Sequence, residues 1–324
     1  MPSTGPDADD FAGESPGQLA KRLFNATRPK FFPASVLPVV AGTAWGYAVT
    51  GAFDWYVAIL ALFATVCVHA SANVLNDVGD ESGGTDRINE QRIYPYTGGS
   101  RFIQAGIMSA SAMARLGVSL IAVAAVAGAF LIIEKGLFVL WLGLAGVLLT
   151  VLYSLGPVRL SSVGLGELAV GVGLGVIPVA GAAWLQSGVF DMNAVLFSIP
   201  IAMWVTAILL INEVPDVAAD SATGKGTLPV RFGLRATAGI YFGLHLAAFA
   251  AVAWLAWQAR LPLLAPAVPL LLLVLALRSA AAIPAGVGDR AAMTRAIEGT
   301  LGIHTLGSLW LAGCALYVAF WGGG

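Results

Sequence analysis

Two short stretches carry the densest oxygen chemistry in this 324-residue chain. In NVLNDVGD, residues Asn73, Asn76, Asp77 and Asp80 fall at i, i+3, i+4 and i+7, one face of a helix. In NEVPDVAAD, residues Asn212, Asp216 and Asp220 step by four along another. The two align: Asn76 with Asn212, Asp77 with Glu213, Asp80 with Asp216. A Gly-rich turn carries the first copy on to Asp86. Like charges this dense repel one another unless a cation compensates them. Hard carboxylate and amide oxygens suit Mg²⁺, which takes a few carboxylates with phosphate and water. The expected metal ligands are therefore Asn76, Asp77, Asp80, Asp86, Asn212, Asp216 and Asp220. Cys67, Cys314, His69, His245 and His304 are scattered without ligand spacing, which argues against zinc.

Cations trail each copy. GGSR places Arg101 after the first, and GKGTLPVR places Lys225 and Arg231 after the second. Paired acid clusters, Mg²⁺ and flanking cations make a diphosphate clamp, in which metal and cations share the phosphate charge. One acidic helix end alone reads equally as a solvated cap. Two matching copies, each trailed by a cation, favour the clamp.

The elements that carry these residues are apolar. Hydrophobic residues make up 58% of the chain and charged ones 11%, against about 25% in soluble domains. A spanning helix needs roughly 20 apolar residues. Nine stretches qualify: about 31–50, 55–75, 112–133, 137–155, 165–187, 192–212, 236–258, 262–278 and 299–321. An all-α polytopic bundle of nine transmembrane helices is expected. Fifteen of the 17 Lys and Arg fall on the N-terminal side, and only Lys135 and Arg260 fall opposite. The positive-inside rule then puts the N-terminus and both acid clusters in the cytoplasm and the C-terminus outside. Each acid cluster ends a span on that side, and the copies lie four helices apart, as in an internal duplication. Residues 1–20 are acidic and rich in Pro, Gly and Ser, without the pattern of a signal peptide. They read as a disordered tail before one membrane domain, 21–324. A net charge of −1 argues against a nucleic-acid partner.

With these motifs the chain resembles the UbiA superfamily of intramembrane prenyltransferases, and most of all its 1,4-dihydroxy-2-naphthoate (menaquinone) branch. ATRPKFFPASVLPVVAGTA (26–44), NDVGDESGGTD (76–86), YSLGPVRLSSVGLGELAVGVGLGVIPVAGA (153–182) and NEVPDVAADSATGKGTLPVRFG (212–233) carry the likeness. The resemblance implies an inner-membrane enzyme that transfers a polyprenyl group from its diphosphate to an aromatic acceptor, with decarboxylation when that acceptor is the naphthoate. It implies catalytic roles for Asp77, Asp80, Asp216 and Asp220. It sets Tyr153 and Arg159 to shape the cation pocket or hold the acceptor carboxylate. It sets Asn73 and Lys30 with Lys225, Arg231 and Arg101 at the prenyl diphosphate. Lys30 reads equally as a positive-inside anchor, and Glu167 as a functional acid or a partner of Arg159. Three departures stand out. Gly84 occupies the place of an acid in the 4-hydroxybenzoate branch, so Asp86 takes over. Gly226 stands where Arg is common, so Arg101 is the substitute cation. Gly156 stands where Pro is common. Other acceptors, such as 4-hydroxybenzoate or homogentisate, fit the same residues. A transporter would put its acids near the bilayer midplane. A soluble prenyl-chain synthase would lack the apolar spans.

Overall fold

The computed structural model describes residues 5–156 and 158–321. Among them the structure is all-α, without strands. A short helix α1 (Pro16–Ala26) precedes α2 (Pro33–Thr50), α3 (Trp55–Gly83), α4 (Thr85–Ile88), α5 (Ala110–Lys135) and α6 (Phe138–Ser154). Then follow α7 (Gly166–Val170), a π-helical segment Gly171–Val176, α8 (Ile177–Ser187), α9 (Met192–Asn212) and α10 (Val217–Ala222). The chain ends with α11 (Leu228–Trp257), α12 (Ala267–Ala282) and α13 (Arg290–Trp321).

Among the described residues seven stretches are long and apolar enough to cross a membrane, where nine were expected. Two features make the difference. At 17 residues α6 is short for a span, and a 3₁₀ turn at Ile283–Asp289 joins α12 to α13 in one helical stretch, Ala267–Trp321. The protein is a multi-pass membrane protein. Within the segment read as a disordered tail, Asp9–Phe11 form a 3₁₀ turn and α1 begins at Pro16. Phe11 packs edge-on against Phe102, which anchors that turn.

Small residues let the helices close on one another, as in membrane bundles generally. A Cβ on Gly42 would stand 2.1 Å from the Val179 carbonyl, so α2 and α8 meet backbone to backbone. A Cβ on Gly175 would meet Ala202 at 2.4 Å, which seats the π segment on α9. The core lies around α9, where Phe197, Ile201, Trp204, Leu210 and Ile211 are buried against α11 and α13 residues such as Tyr241, Met293 and Ile303.

Both acid motifs differ locally from the expectation. The first lies within α3 rather than in a loop after it, because α3 runs 29 residues. At about 1.5 Å per residue that exceeds the roughly 30 Å hydrocarbon thickness, so its last turns project beyond the apolar layer. Gly79 permits this, since a Cβ there would sit 2.7 Å from the Ser154 carbonyl at the end of α6. The second motif is not one continuous helix. α9 stops at Asn212, residues 213–216 turn, and α10 restarts after Asp216. Pro215 lacks the N–H that would continue α9.

Candidate active site

α3 and α9 face one another across a cavity whose mouth holds the two motifs. Asn73, Asn76 and Asp80 line it from α3, Asp86 and Asn89 from α4 and its exit, and Asn212, Glu213, Asp216 and Asp220 from the end of α9 and α10. Lys225, Tyr153, Arg28 and Thr97 add further polar groups. Deeper in, Val68, Leu149, Leu174, Val205 and Ile208 make the walls apolar. A second chamber of about 400 Å³ shares Val68, Gly146 and Gly173 with the first. It lies among α3, α5, α6 and α8, and Thr65 carries its one polar side chain, spent on the Ala61 carbonyl at 2.8 Å.

Lys225 ties the two motifs together. Its Nζ lies 3.1 and 3.2 Å from the Asp80 carboxylate oxygens and 3.7 Å from Asp220 Oδ1. Burial pushes the ammonium toward its neutral form, but the Asp80 and Asp220 charges outweigh that and hold its pKa well above the ordinary range. The cation compensation expected of a metal is thus met in part by this lysine. A second link joins the loops directly: the Thr85 and Thr223 hydroxyls lie 2.9 Å apart. Asp216 accepts from Asn89 Nδ2 at 2.6 Å and from the Gly98 N–H at 3.2 Å. Asn76 Nδ2 donates to Asp80 Oδ2 at 3.2 Å and to Ser154 Oγ at 3.3 Å.

The segment after α4 closes the first cluster from above. Asp77 Oδ2 accepts from the Ser100 N–H at 3.1 Å and from the Ser100 hydroxyl. Gly98 and Gly99 have φ of +71° and +73°. A Cβ on Gly99 would stand 2.8 Å from both Asp77 Oδ1 and Asp86 Oδ2, so glycine alone lets the backbone lie between those two oxygens. Arg28 approaches from the other side. Its Nη1 is 4.0 Å from Asp77 Oδ1, Nη2 donates to the Tyr96 carbonyl at 3.4 Å, and the guanidinium lies over the Phe31 ring. Arg28 has φ +58°, unusual for a residue with a Cβ, and such strain persists where the surroundings enforce it.

The donor set fits a hard cation. Asp77 Oδ1, Asp86 Oδ2, Asn212 Oδ1 and Asp220 Oδ1 are buried without a hydrogen-bond partner, a costly state that an added cation relieves. Among the described residues, no three acidic, His or Cys side chains yet converge to coordinating geometry. The buried acids are held above the ordinary carboxylate range. Burial, with Asp80 and Asp77 nearby, pushes Asp86 up to about 8. Burial, opposed by Lys225, pushes Asp220 up to about 7. Burial and the neighbouring Glu167 raise Glu213 well above the carboxylate range.

The site gathers Asn73, Asn76, Asp80, Asp86, Tyr153, Asn212, Asp216, Asp220 and Lys225 at the cavity. Asn73 also holds the Thr27 carbonyl at 3.0 Å. Other sequence expectations lie elsewhere. Asp77 sits behind the wall, under Ser100. Arg101 reaches the Asp86 carbonyl from outside the lining. Arg231 bonds the Gly226 carbonyl at 2.8 Å and fills the space that a Cβ on Gly164 would take. Arg159 docks on the last turn of α3, 3.5 Å from the Gly79 carbonyl and 3.4 Å from Ser82 Oγ. Lys30 stacks over Tyr96, 5.3 Å from its centroid. Glu167 is not a partner of Arg159, since its Oε1 accepts from the Leu228 N–H at 3.0 Å and so caps α11. Sequence reasoning gave no role to Arg28, Asn89, Thr97 or Gly99. The only signals for them are a Thr-Arg-Pro break before a span and the turn residues Pro95, Gly98 and Gly99.

Residues 35–297 match the UbiA prenyltransferase family. The chain belongs to that family. It is a prenyltransferase. A 1,4-dihydroxy-2-naphthoate octaprenyltransferase from Haemophilus influenzae is 32% identical over 245 residues, 73% of this chain and 77% of that protein. The Bacillus subtilis protein of the same name is 28% identical over 81% of this chain and 79% of its own. Among solved folds, a UbiA homologue from Aeropyrum pernix K1 superposes with TM-score 0.65 at 18% identity, covering 87% of this chain and 97% of that one. One from Archaeoglobus fulgidus, bound to DMAPP and Mg²⁺, also gives 0.65, at 15% identity over 91% and 99%. The bundle described above is therefore the UbiA fold.

Proposed function

We propose that this prenyltransferase transfers a polyprenyl group from its diphosphate to 1,4-dihydroxy-2-naphthoate, in a Mg²⁺-dependent reaction with loss of CO₂. The observation that carries the clamp is the bridge of Lys225 between Asp80 of one motif and Asp220 of the other, at the mouth of an apolar cavity. The names of the Haemophilus influenzae and Bacillus subtilis relatives support the acceptor. The Archaeoglobus fulgidus homologue with DMAPP and Mg²⁺ supports the diphosphate and metal.

Asn76, Asp80, Asp86, Asn212, Asp216 and Asp220 would hold Mg²⁺. The metal supplies charge neutralisation for a diphosphate leaving group. Lys225 adds a buried cation beside the charge that develops as the allylic C–O bond breaks, the largest kind of catalytic contribution in a low-dielectric site. The apolar walls exclude water, which would otherwise capture the allylic cation. The prenyl tail occupies the deeper apolar chamber. The acceptor ring attacks the allylic carbon through the carbon that bears its carboxylate. A C–C bond forms, the bond to CO₂ breaks, and its electron pair restores the aromatic ring. Arg28, a guanidinium at the cavity wall, pairs with that carboxylate. It takes the part expected of Arg159, which docks outside the cavity. Tyr153 faces the reacting centre from α6.

The reading extends to the whole chain. Residues 21–324 form one membrane domain. The excess of Lys and Arg on the side of the acid motifs supports an inner-membrane enzyme with its N-terminus and site facing the cytoplasm and its C-terminus outside. The test is an acceptor panel: purified protein, Mg²⁺, a radiolabelled polyprenyl diphosphate and either 1,4-dihydroxy-2-naphthoate or 4-hydroxybenzoate. Lipid-soluble product with CO₂ release from the naphthoate alone is expected. Product from hydroxybenzoate alone would overturn the acceptor and keep the prenyl transfer.

A further inference from the structure

α1 is amphipathic and has its apolar side turned outward. Leu19, Ala20, Leu23 and Phe24 fall on one side of the helix, and Gln18, Lys21, Arg22 and Asn25 on the other. The protein half-covers the polar side: Gln18, Arg22 and Asn25 are half-buried and Lys21 is exposed. Lys21 Nζ donates to the Asp10 carbonyl at 2.7 Å and lies over the Phe11 ring, and Arg22 reaches the Phe11 carbonyl at 3.5 Å. The apolar side is barer at its outer positions: Leu19 is 47% exposed and Phe24 58%, with Leu23 half-buried between them. In water that arrangement is inside out.

Its position in the fold says what covers it. α1 ends in the fully buried Ala26, and three residues later the membrane stretch Pro29–Thr50 begins. Phe24 packs edge-on against Phe32, whose own ring meets His69 of α3. The bare side of α1 therefore continues the lipid-facing surface of α2 at its first turn. We propose that α1 lies in the plane of the membrane, with Leu19, Leu23 and Phe24 sunk into the headgroup–acyl boundary of the leaflet on the acid-motif side.

The contact is with acyl chains rather than headgroup charge. Residues 5–26 carry four acids (Asp7, Asp9, Asp10 and Glu14) against two bases (Lys21 and Arg22), and both bases are already spent on backbone carbonyls. Anionic lipid is not required. The helix leads straight into Thr27, whose carbonyl Asn73 holds, and into Arg28 at the cavity wall.

The test uses the full chain in lipid nanodiscs. Cys67 and Cys314 are replaced by Ala, and a nitroxide is attached in turn at Leu19→Cys, Phe24→Cys and Asn25→Cys. Collision with O₂, which concentrates among acyl chains, is compared with collision with a water-soluble nickel chelate. Labels at 19 and 24 should favour O₂ severalfold over the label at 25, equally in phosphatidylcholine discs and in discs with phosphatidylglycerol. Equal nickel access at all three positions would overturn the proposal, because that face would then be in water. Low access to both reagents at 19 and 24 would overturn it in favour of a protein partner. A depth that appears only with anionic lipid would overturn acyl-driven anchoring. A second measurement leaves the cysteines in place: trypsin should cut at Lys21 and Arg22 in the Leu19→Glu/Phe24→Glu chain but spare the wild type in the same discs. Equal cutting of the two would also overturn it.

Discussion

Replacing Lys225 with Met keeps most of its length and removes its charge, and two opposite effects should follow. Nζ sits 3.1 Å from Asp80 and 3.7 Å from Asp220 in a buried setting. At an effective dielectric of about 20, a unit charge pair some 3 Å apart is worth about 5 kcal/mol before desolvation. Removing one partner of such a pair typically costs about 3–5 kcal/mol of stability. Removing a preorganised donor from a developing anion typically costs about 10²–10³ in kcat. Turnover should therefore fall by that factor, with the acceptor KM within about threefold of wild type. Metal affinity should move the other way. The lysine occupies the oxygens that Mg²⁺ would use, so its loss frees Asp80 and Asp220 and should tighten Mg²⁺ binding by about tenfold or more, which is about 1.4 kcal/mol. Turnover is read with the radiolabelled diphosphate and metal binding by titration of detergent-purified protein, after a single size-exclusion peak confirms folding. A folded Lys225→Met that keeps more than a tenth of wild-type kcat would refute the catalytic role. Lost turnover together with weaker Mg²⁺ binding would refute the shared-oxygen argument.

Asp80→Ala or Asp216→Ala should abolish turnover in a chain that still inserts and purifies, and retained activity in both variants would sink the clamp. Arg28→Gln should raise the acceptor KM about 10- to 100-fold, the loss of one charge-assisted pair, while the KM for the prenyl diphosphate stays put; initial rates with each substrate varied decide it. Gly99→Ala should lower the melting temperature and Mg²⁺ affinity together, because its Cβ meets Asp77 and Asp86 oxygens at 2.8 Å and its φ of +73° disfavours any side chain. Asp86 near 8 and Asp220 near 7 hold protons that Mg²⁺ must displace. Mg²⁺ binding should strengthen from pH 6 to pH 9. The sign for stability is opposite in the metal-free protein. Folded pKa values above the unfolded value near 4 mean that the folded chain binds more protons, so stability should fall as pH rises from about 4 to about 8. Melting curves at pH 6 and 8, with and without Mg²⁺, check both signs.

Much of the protein was legible from sequence because its signals are local. Apolar runs near 20 residues give membrane helices whatever their neighbours do, and most of the helical stretches fall within a few residues of the expected bounds. A repeated Asn-x-x-x-Asp spacing is also local, and it pointed to Asn76, Asp80, Asn212 and Asp216. The number of spans was less secure, since a 17-residue helix and a helical joint between α12 and α13 sit at the edge of what length can decide. Tertiary structure alone decided which cations meet which acids. Lys225, Arg231, Arg159 and Arg101 look equivalent along the chain, yet only Lys225 reaches the cavity. The others brace backbone carbonyls at 226, 79 and 86. Arg28 lies 49 positions from Asp77 in sequence. A strained φ and the packing of α2 against its neighbours bring it to the site. Helix periodicity fixes which side chains share a face of one helix. Which face meets which cavity depends on contacts between distant elements, and those are settled by close glycine packing such as Gly42 on Val179 and Gly79 on Ser154.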